Sequence, residues 1–225
     1  MYVPRHFSLP EDYARALLAN PGVGNLVTVI ASGPEATMVP FYLDEEKNAL
    51  VTHLVKNNPQ AAEPPRGPGL IILDDVDAYV PPHWYATNKV KANVPTWDYI
   101  TIHVRGAVRI DPSPEAALTA ACRLTEMMET DDVLTPVGQD KLRRMARAIV
   151  AVEVSLDEVR GKAKMSQNRH PDDIRGLADE FERHGEPRMA EFLRTVSLPY
   201  AEQRFATLAR LRGARSLGED VRSFH

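Results

Sequence analysis

Apolar and polar positions along this chain alternate with two different periods, and the change of period marks out its elements. Residues 25–31, 37–43 and 49–55 are short, β-branched, strand-like runs. Ser32-Gly33-Pro34-Glu35 and Asp44-Glu45-Glu46-Lys47-Asn48 supply the turn chemistry between them, so the three read as an antiparallel meander. Residues 70–73 form a continuous apolar run and 78–80 a brief further strand. The clearest strand is 98–110, where Ile100, Ile102 and Val104 alternate with Thr101, His103 and Arg105, the period of a half-buried strand. Gly106 inside it marks a bulge or the close approach of another backbone, and the β-branched run 149–154 is the last strand.

Helical spacing occupies the rest. Ser8-Leu9-Pro10-Glu11 predicts a helix start, with Ser8 as N-cap and Glu11 completing a capping box; Tyr13, Ala16, Leu17 and Leu18 form its buried side, and Asn20-Pro21-Gly22 ends it. Ser113-Pro114 predicts a second helix start, ahead of Leu118, Ala121, Cys122 and Leu124. A further helix covers about 139–147. Beyond 160–169 the chain turns helical, with Pro171, Pro187 and Pro199 each in a first turn. Strands joined by turns, with helices at the periphery, predict an α+β fold built on a small antiparallel barrel.

Composition narrows the function classes. The chain has 225 residues, 44% of them hydrophobic and 26% charged, the profile of a domain with a real core. A net charge of −4 argues against a surface made for nucleic acid as a whole. A single cysteine, Cys122, excludes an internal disulfide and a multi-cysteine zinc site, and its helical apolar setting predicts a buried thiol. With neither a signal-peptide-like start nor a bilayer-length apolar run, the expected location is cytoplasmic. Glycine-rich phosphate loops, GxSxG, HExxH and paired metal-ligand histidines do not occur.

Four segments carry polar chemistry that a barrel does not need for packing. Residues 52–60 end a strand with His53, Lys56, Asn57 and Asn58, a combination able to hold a phosphate or carboxylate, or simply a solvated polar loop. Residues 79–106 hold both tryptophans, Trp84 and Trp97, together with Tyr85 and Thr96. Rigid aromatics in a proline-broken loop suit a flat ligand or a partner surface, or cover the end of the barrel. Residues 162–169 place three cations and three hydrogen-bonding side chains within eight positions, Lys164, Ser166, Gln167, Asn168 and Arg169 among them. The segment is a solvated turn, or the second wall of an anion site. Residues 197–225 carry five arginines against three acids, most simply a solvated helix face.

The strings MYVPRHF, HLVKNNPQ, YVPPHWY, VPTWDYITIHVRG and GKAKMSQNR, in this order, resemble the PaiB family of FMN-binding negative transcriptional regulators. That resemblance implies an antiparallel split β-barrel of the pyridoxamine-phosphate-oxidase-like kind with peripheral and C-terminal helices. The resemblance covers residues 1 to about 195, and the last thirty or so have no counterpart in it; the expected organisation is a cofactor-binding domain over 1–170 with 171–225 as a helical extension packed on the barrel. The resemblance also implies a homodimer with FMN at the subunit interface. The positions it points to as cofactor-binding are His53, Lys56, Asn57, Asn58, Trp84, Tyr85, Thr96, Trp97, Lys164, Ser166, Gln167, Asn168 and Arg169. The chain departs from the family pattern in having Ala61-Ala62-Glu63 where an aromatic usually follows NPQ. It also resembles the piperazate synthases, in which a histidine matching His53 is the axial ligand of haem b and an N–N bond forms in an N-hydroxylated ornithine. FMN with a regulatory role, haem with an enzymatic one, and a cofactor-free interaction protein that retains the barrel are the three expectations. DNA contact, if made, is expected to be weak and to need the basic C-terminal segment or a partner.

Overall fold

The computed structural model describes the backbone of residues 1–222 and the side chains through Leu211. Among the described residues there are nine strands: β1 (Val23–Ile30), β2 (Gly33–Pro40), β3 (Tyr42–Asp44), β4 (Ala49–Val55), β5 (Gly69–Val80), β6 (Thr96–Gly106), β7 (Val108–Asp111), β8 (Ile149–Ser155) and β9 (Glu158–Lys164). The helices are α1 (Glu11–Ala19), α2 (Pro59–Ala62), α3 (Pro114–Met128), α4 (Gln139–Ala146), α5 (Pro171–Arg183), α6 (Pro187–Phe192) and α7 (Leu198–Arg222). The strands divide between a five-stranded sheet in the order β2-β1-β5-β6-β9 and a four-stranded sheet in the order β3-β4-β8-β7. The fold is therefore α+β with antiparallel pairing, the split form of a barrel rather than one closed ring. No described helix is long and apolar enough to cross a membrane.

The chain forms two compact units, one of residues 1–3, 9–75 and 101–161, the other of 4–8, 76–100 and 162–225. In the first, β1 and β2 pair from Val23↔Pro40 to Ile30↔Gly33, and β4 pairs β8 from Ala49↔Ser155 to Val55↔Ile149. The alternation seen in the sequence becomes burial: Leu26, Ile30, Leu50, Ile71, Leu73, Ile102, Val104 and Val154 are all fully enclosed. Ser113 caps α3 by accepting from the Ala116 N–H, and Ala120 and Leu124 of that helix pack on Tyr42, Val51 and Ala151. In the second unit, α5 and α6 bury Ile174, Leu177, Phe181, Met189 and Phe192.

Two local expectations change, and Pro199 keeps its expected place in a first turn. Ser8 does not cap α1: its backbone bridges to Lys162, and the helix starts after Pro10, whose fixed φ of −55° serves instead. The runs 70–73 and 78–80 are one twelve-residue strand, and two of the acids between them find partners: the Tyr13 hydroxyl donates to Asp75, and the Trp97 indole to Asp77. Pro199 lies one residue inside α7, directly after a wide helical turn over Leu193–Ser197. Widening the helix just before a proline relieves the clash of its ring with the preceding turn.

Gly106 is the close approach that the sequence indicates. A Cβ there would stand 1.7 Å from the Ser155 carbonyl oxygen, a backbone atom that cannot yield without shifting β8. Gly106→Ala is accordingly expected to lower unfolding stability by about 2–4 kcal/mol. Urea denaturation checks this, and a change below about 0.5 kcal/mol, the range of an ordinary surface substitution, would contradict it.

Candidate functional sites

The end of β4 is organised by amides. Asn58 caps α2 by accepting from the Gln60 N–H at 2.9 Å, while its Nδ2 donates to Thr37 Oγ1 at 3.0 Å. Gln60 is 3% exposed. Its Nε2 lies 3.1 Å from the Leu26 carbonyl, 2.9 Å from Thr28 Oγ1 and 3.2 Å from the Glu35 carbonyl, and its Oε1 accepts from Thr37. The motif thus ties its loop to the β1–β2 hairpin. Lys56 and Asn57 stay exposed, and the Lys56 N–H donates to the Ala148 carbonyl at 2.9 Å.

His53, three residues earlier, is half-buried, and its Nδ1 is enclosed with no hydrogen-bond partner among the described residues. Burial lowers its pKa, favouring the neutral imidazole. The ring lines a cavity of about 630 Å³ whose walls come mainly from α3 and α4, including Leu118, Ala121, Met128, Leu142 and Met145. Cys122 also lines it and is half-buried rather than packed in solid core, because this part of α3 faces the cavity. Burial raises the thiol pKa, which keeps it protonated and unreactive.

In the second unit the tryptophans part company. Trp84 is half-buried and packs edge-on against Phe181, with ring centroids 5.3 Å apart, and against His184 at 4.9 Å. Asp173, at the start of α5, holds the next turn by accepting from the Thr87 N–H at 2.8 Å and from its hydroxyl at 2.9 Å. Trp97 is 51% exposed and lies 6.0 Å from Tyr79. Tyr85 is fully buried, and the Arg169 guanidinium stands 4.3 Å from its ring centroid.

Thr96, Lys164, Ser166, Asn168 and Arg169 do meet, lining a cavity of about 140 Å³ with Phe7 and Asp98. Gln167 turns inward: its Oε1 accepts from the Met165 N–H at 2.9 Å and its Nε2 donates to the Ala163 carbonyl at 2.8 Å. Asp98 is the residue that sequence reasoning passed over. It is 1% exposed, and Ser166 Oγ donates to its Oδ2 at 2.7 Å. Ser166 does so from a left-handed backbone, φ 59°, a conformation that costs a non-glycine residue energy and clusters at functional sites. Lys164 Nζ is 3.6 Å from Asp98 Oδ1, at ion-pair distance, and donates to Thr96 Oγ1 and the Trp97 carbonyl; among the described residues Oδ1 has no hydrogen-bond partner. Burial raises the Asp98 pKa to about 6 against the pull of Ser166, Lys164 and Arg169. The signal was present in the pattern: Asp98 shares its parity on β6 with Ile100, Ile102 and Val104.

Two antiparallel sheets, a polar cavity built on a buried acid and an apolar cavity with a neutral histidine define an α+β split-barrel protein equipped to hold a small molecule. The chain belongs to the family described as "Putative FMN-binding domain", which matches residues 1–158, and it is PaiB-like. It is 26% identical over 210 residues to the Protease synthase and sporulation protein PAI 2 of Bacillus subtilis, covering 86% of this chain and 96% of that one. Its fold is similar to that of the flavocytochrome Anf3 from Azotobacter vinelandii: the TM-score is 0.55 with 12% identity, covering 72% of each chain. The FAD and heme binding protein from Mycobacterium smegmatis is also similar, with a TM-score of 0.52 and 16% identity over 71% of this chain and 74% of that one.

Asp98 has a measurable thermodynamic signature. With its pKa raised from 3.8 to about 6, the folded state holds this proton more tightly than the unfolded state. The contribution to stability is therefore fully present below pH 3.8 and is lost as pH rises through about 6. Relative to Asp98→Asn, the wild-type protein should be more stable at pH 4 than at pH 7.5 by on the order of 2–3 kcal/mol. Parallel urea curves for the two proteins at both pH values would refute the assignment.

Proposed function

We propose that this protein is a flavoprotein that binds FMN, acts as a homodimer and has a regulatory role of the PaiB type. The observation that carries the reading is the cavity of the second unit, which gathers Thr96, Asp98, Lys164, Ser166 and Asn168 beside a guanidinium held over Tyr85. A ligand for it must offer a donor beside an acceptor, and a flavin carries both. The description of the family supports FMN in particular. Separately, at the end of β4 in the first unit, exposed Lys56 and Asn57 offer a cation and an amide to an anionic group, on a backbone fixed by Asn58 and Gln60. When bound, the flavin supplies one- or two-electron transfer; the chain's own part is binding, orientation and exclusion of water.

The likeness to a protein named for protease synthesis and sporulation supports a regulatory role. In this reading any DNA contact is weak at a net charge of −4 and needs the basic segment 197–225, whose side chains beyond Leu211 lie outside the described residues. The dimer is supported by apolar side chains left exposed on β1 and β2: Val23 at 44%, Val29 at 48% and Met38 at 71%. Sedimentation at micromolar concentration should give a dimer, and a monomer there would contradict this part of the proposal.

One observation favours a second reading, haem b held by His53. A neutral imidazole with an unpartnered buried nitrogen lines a largely apolar cavity of about 630 Å³. The two similar structures named above are of proteins named for haem as well as flavin, Anf3 through the word flavocytochrome. The two readings separate by absorbance titration with FMN and with haemin. Lys56→Ala should weaken FMN binding about tenfold, the scale of one polar contact to a charged group. His53→Ala should leave FMN binding within about twofold, a free-energy change smaller than a single hydrogen bond. Haemin binding with a Soret band that disappears only in His53→Ala would establish the second reading. Unchanged binding of both ligands in both variants would remove both assignments.

A further inference from the structure

In the first unit a second space adjoins the histidine cavity and differs from it in charge. It measures about 450 Å³, and Glu126, Glu129, Asp131 and Asp132 stand in its walls, all four exposed. Cys122, Thr125, Glu129, Val133, Leu134 and Leu142 line both spaces, so the two form one cleft along α3 and α4. Its larger part is the apolar cavity of about 630 Å³, which lies within the size range of small-molecule sites. Its outer part is an acidic mouth.

The fold does not explain those acids. α3 ends at Met128, with Glu129 as its C-cap and no basic side chain in its last turn. Negative charge at that end opposes the helix dipole, so it costs stability instead of adding it. No ion pair neutralises Glu126, Glu129 or Asp131 among the described residues. Asp132 holds the next turn by accepting from the Leu134 N–H at 3.2 Å and the Thr135 N–H at 2.9 Å, and these bonds keep it ionised. Against the four carboxylates, Lys141 is the one lysine or arginine on either wall among the described residues. His53 adds no positive charge, since burial favours its neutral form.

Apolar walls call for an apolar body, and the acids decide the sign of its charge. We infer that this cleft binds a small apolar molecule carrying a protonated amine. The body lies against Leu118, Leu134 and Met145, and the ammonium lies at the mouth beside Glu126, Glu129 and Asp131. The inference goes beyond the flavin reading, which rests on the cavity of the second unit. It gives a different occupant to the space that the haem reading fills, because the acids repel an anionic group such as a propionate.

The test uses the full chain and three probes that share one dansyl body: dansylcadaverine, which is cationic, its neutral N-acetyl derivative, and the anionic 6-(dansylamino)hexanoate. Dansyl fluorescence brightens in apolar surroundings and reports each titration. The wild-type protein should bind the amine at least about fivefold more tightly than the neutral probe at low salt, the scale of one charge pair in water, and the anion least tightly. That preference should shrink at about 0.5 M salt, where exposed charges are screened. Glu126→Gln with Glu129→Gln, both exposed positions, should bring the amine to within about twofold of the neutral probe, as for a surface pair removed. Cys122→Trp places its ring where the two spaces meet, has the cleft to extend into, and should abolish binding of all three.

Binding that ignores charge or favours the anion overturns the inference, as does an affinity unchanged in Cys122→Trp. If no probe binds the wild-type protein and Cys122→Trp converts a dimer to a monomer in sedimentation, the cleft is covered by a second copy and the inference falls. If either variant fails to fold, the three-probe series on the wild-type protein decides. FMN titration of the same samples tests the flavin reading separately.

Discussion

A carboxylate on the apolar face of β6 is the constraint around which the second unit is built. Asp98 has the same parity as Ile100, Ile102 and Val104, so the pleat that buries those side chains also buries the acid. An isolated buried carboxylate costs several kcal/mol, and the structure offsets this with a cation and a hydroxyl drawn from one short segment. Lys164 ends β9, and Ser166 follows it in a conformation that only a well-braced turn sustains. The bracing is visible: both polar atoms of Gln167 bond back to the segment's own backbone, and Ser197 donates to the Met165 carbonyl at 2.7 Å. The dense run of polar residues from 164 to 169 is thus largely an answer to Asp98, and Asn168 is its exposed member.

The two cavities differ in kind. That of the first unit is large and apolar, with one neutral imidazole that is uncharged without any partner's help. That of the second is small, with charge balanced inside its walls. Water competes poorly for the first, while the second is selective through the direction of its hydrogen bonds. Size alone would rank the histidine cavity first as a binding site.

Much of the fold was legible in the sequence because period and turn chemistry are local. The β1–β2 hairpin, the Ser113 cap and the tight contact at Gly106 all follow from residues within a few positions of one another, or from the absence of a single Cβ. What was not legible depends on pairing between distant segments. Ser8 looks like a cap until its backbone is taken by Lys162. The acids of β5 look like a break between two strands until Tyr13 and Trp97 supply donors from elsewhere. The polar segments could be listed as candidates, but that Gln167 serves the backbone and Trp84 packs on α5 could not be read from their types. Asp98 could have been found, since an acid on the buried parity of a strand is visible without any structure.

The amides at the end of β4 have a consequence for how that loop meets whatever docks there. Asn58 and Gln60 reach carbonyls and hydroxyls on both strands of the β1–β2 hairpin, so the path of the chain from Val55 to Ala62 is settled when the protein folds. Lys56 and Asn57 are then flexible side chains mounted on a rigid frame. A ligand reaching them orders two side chains but no backbone, and the entropy that a floppy anion-binding loop surrenders at each encounter is here surrendered once, during folding.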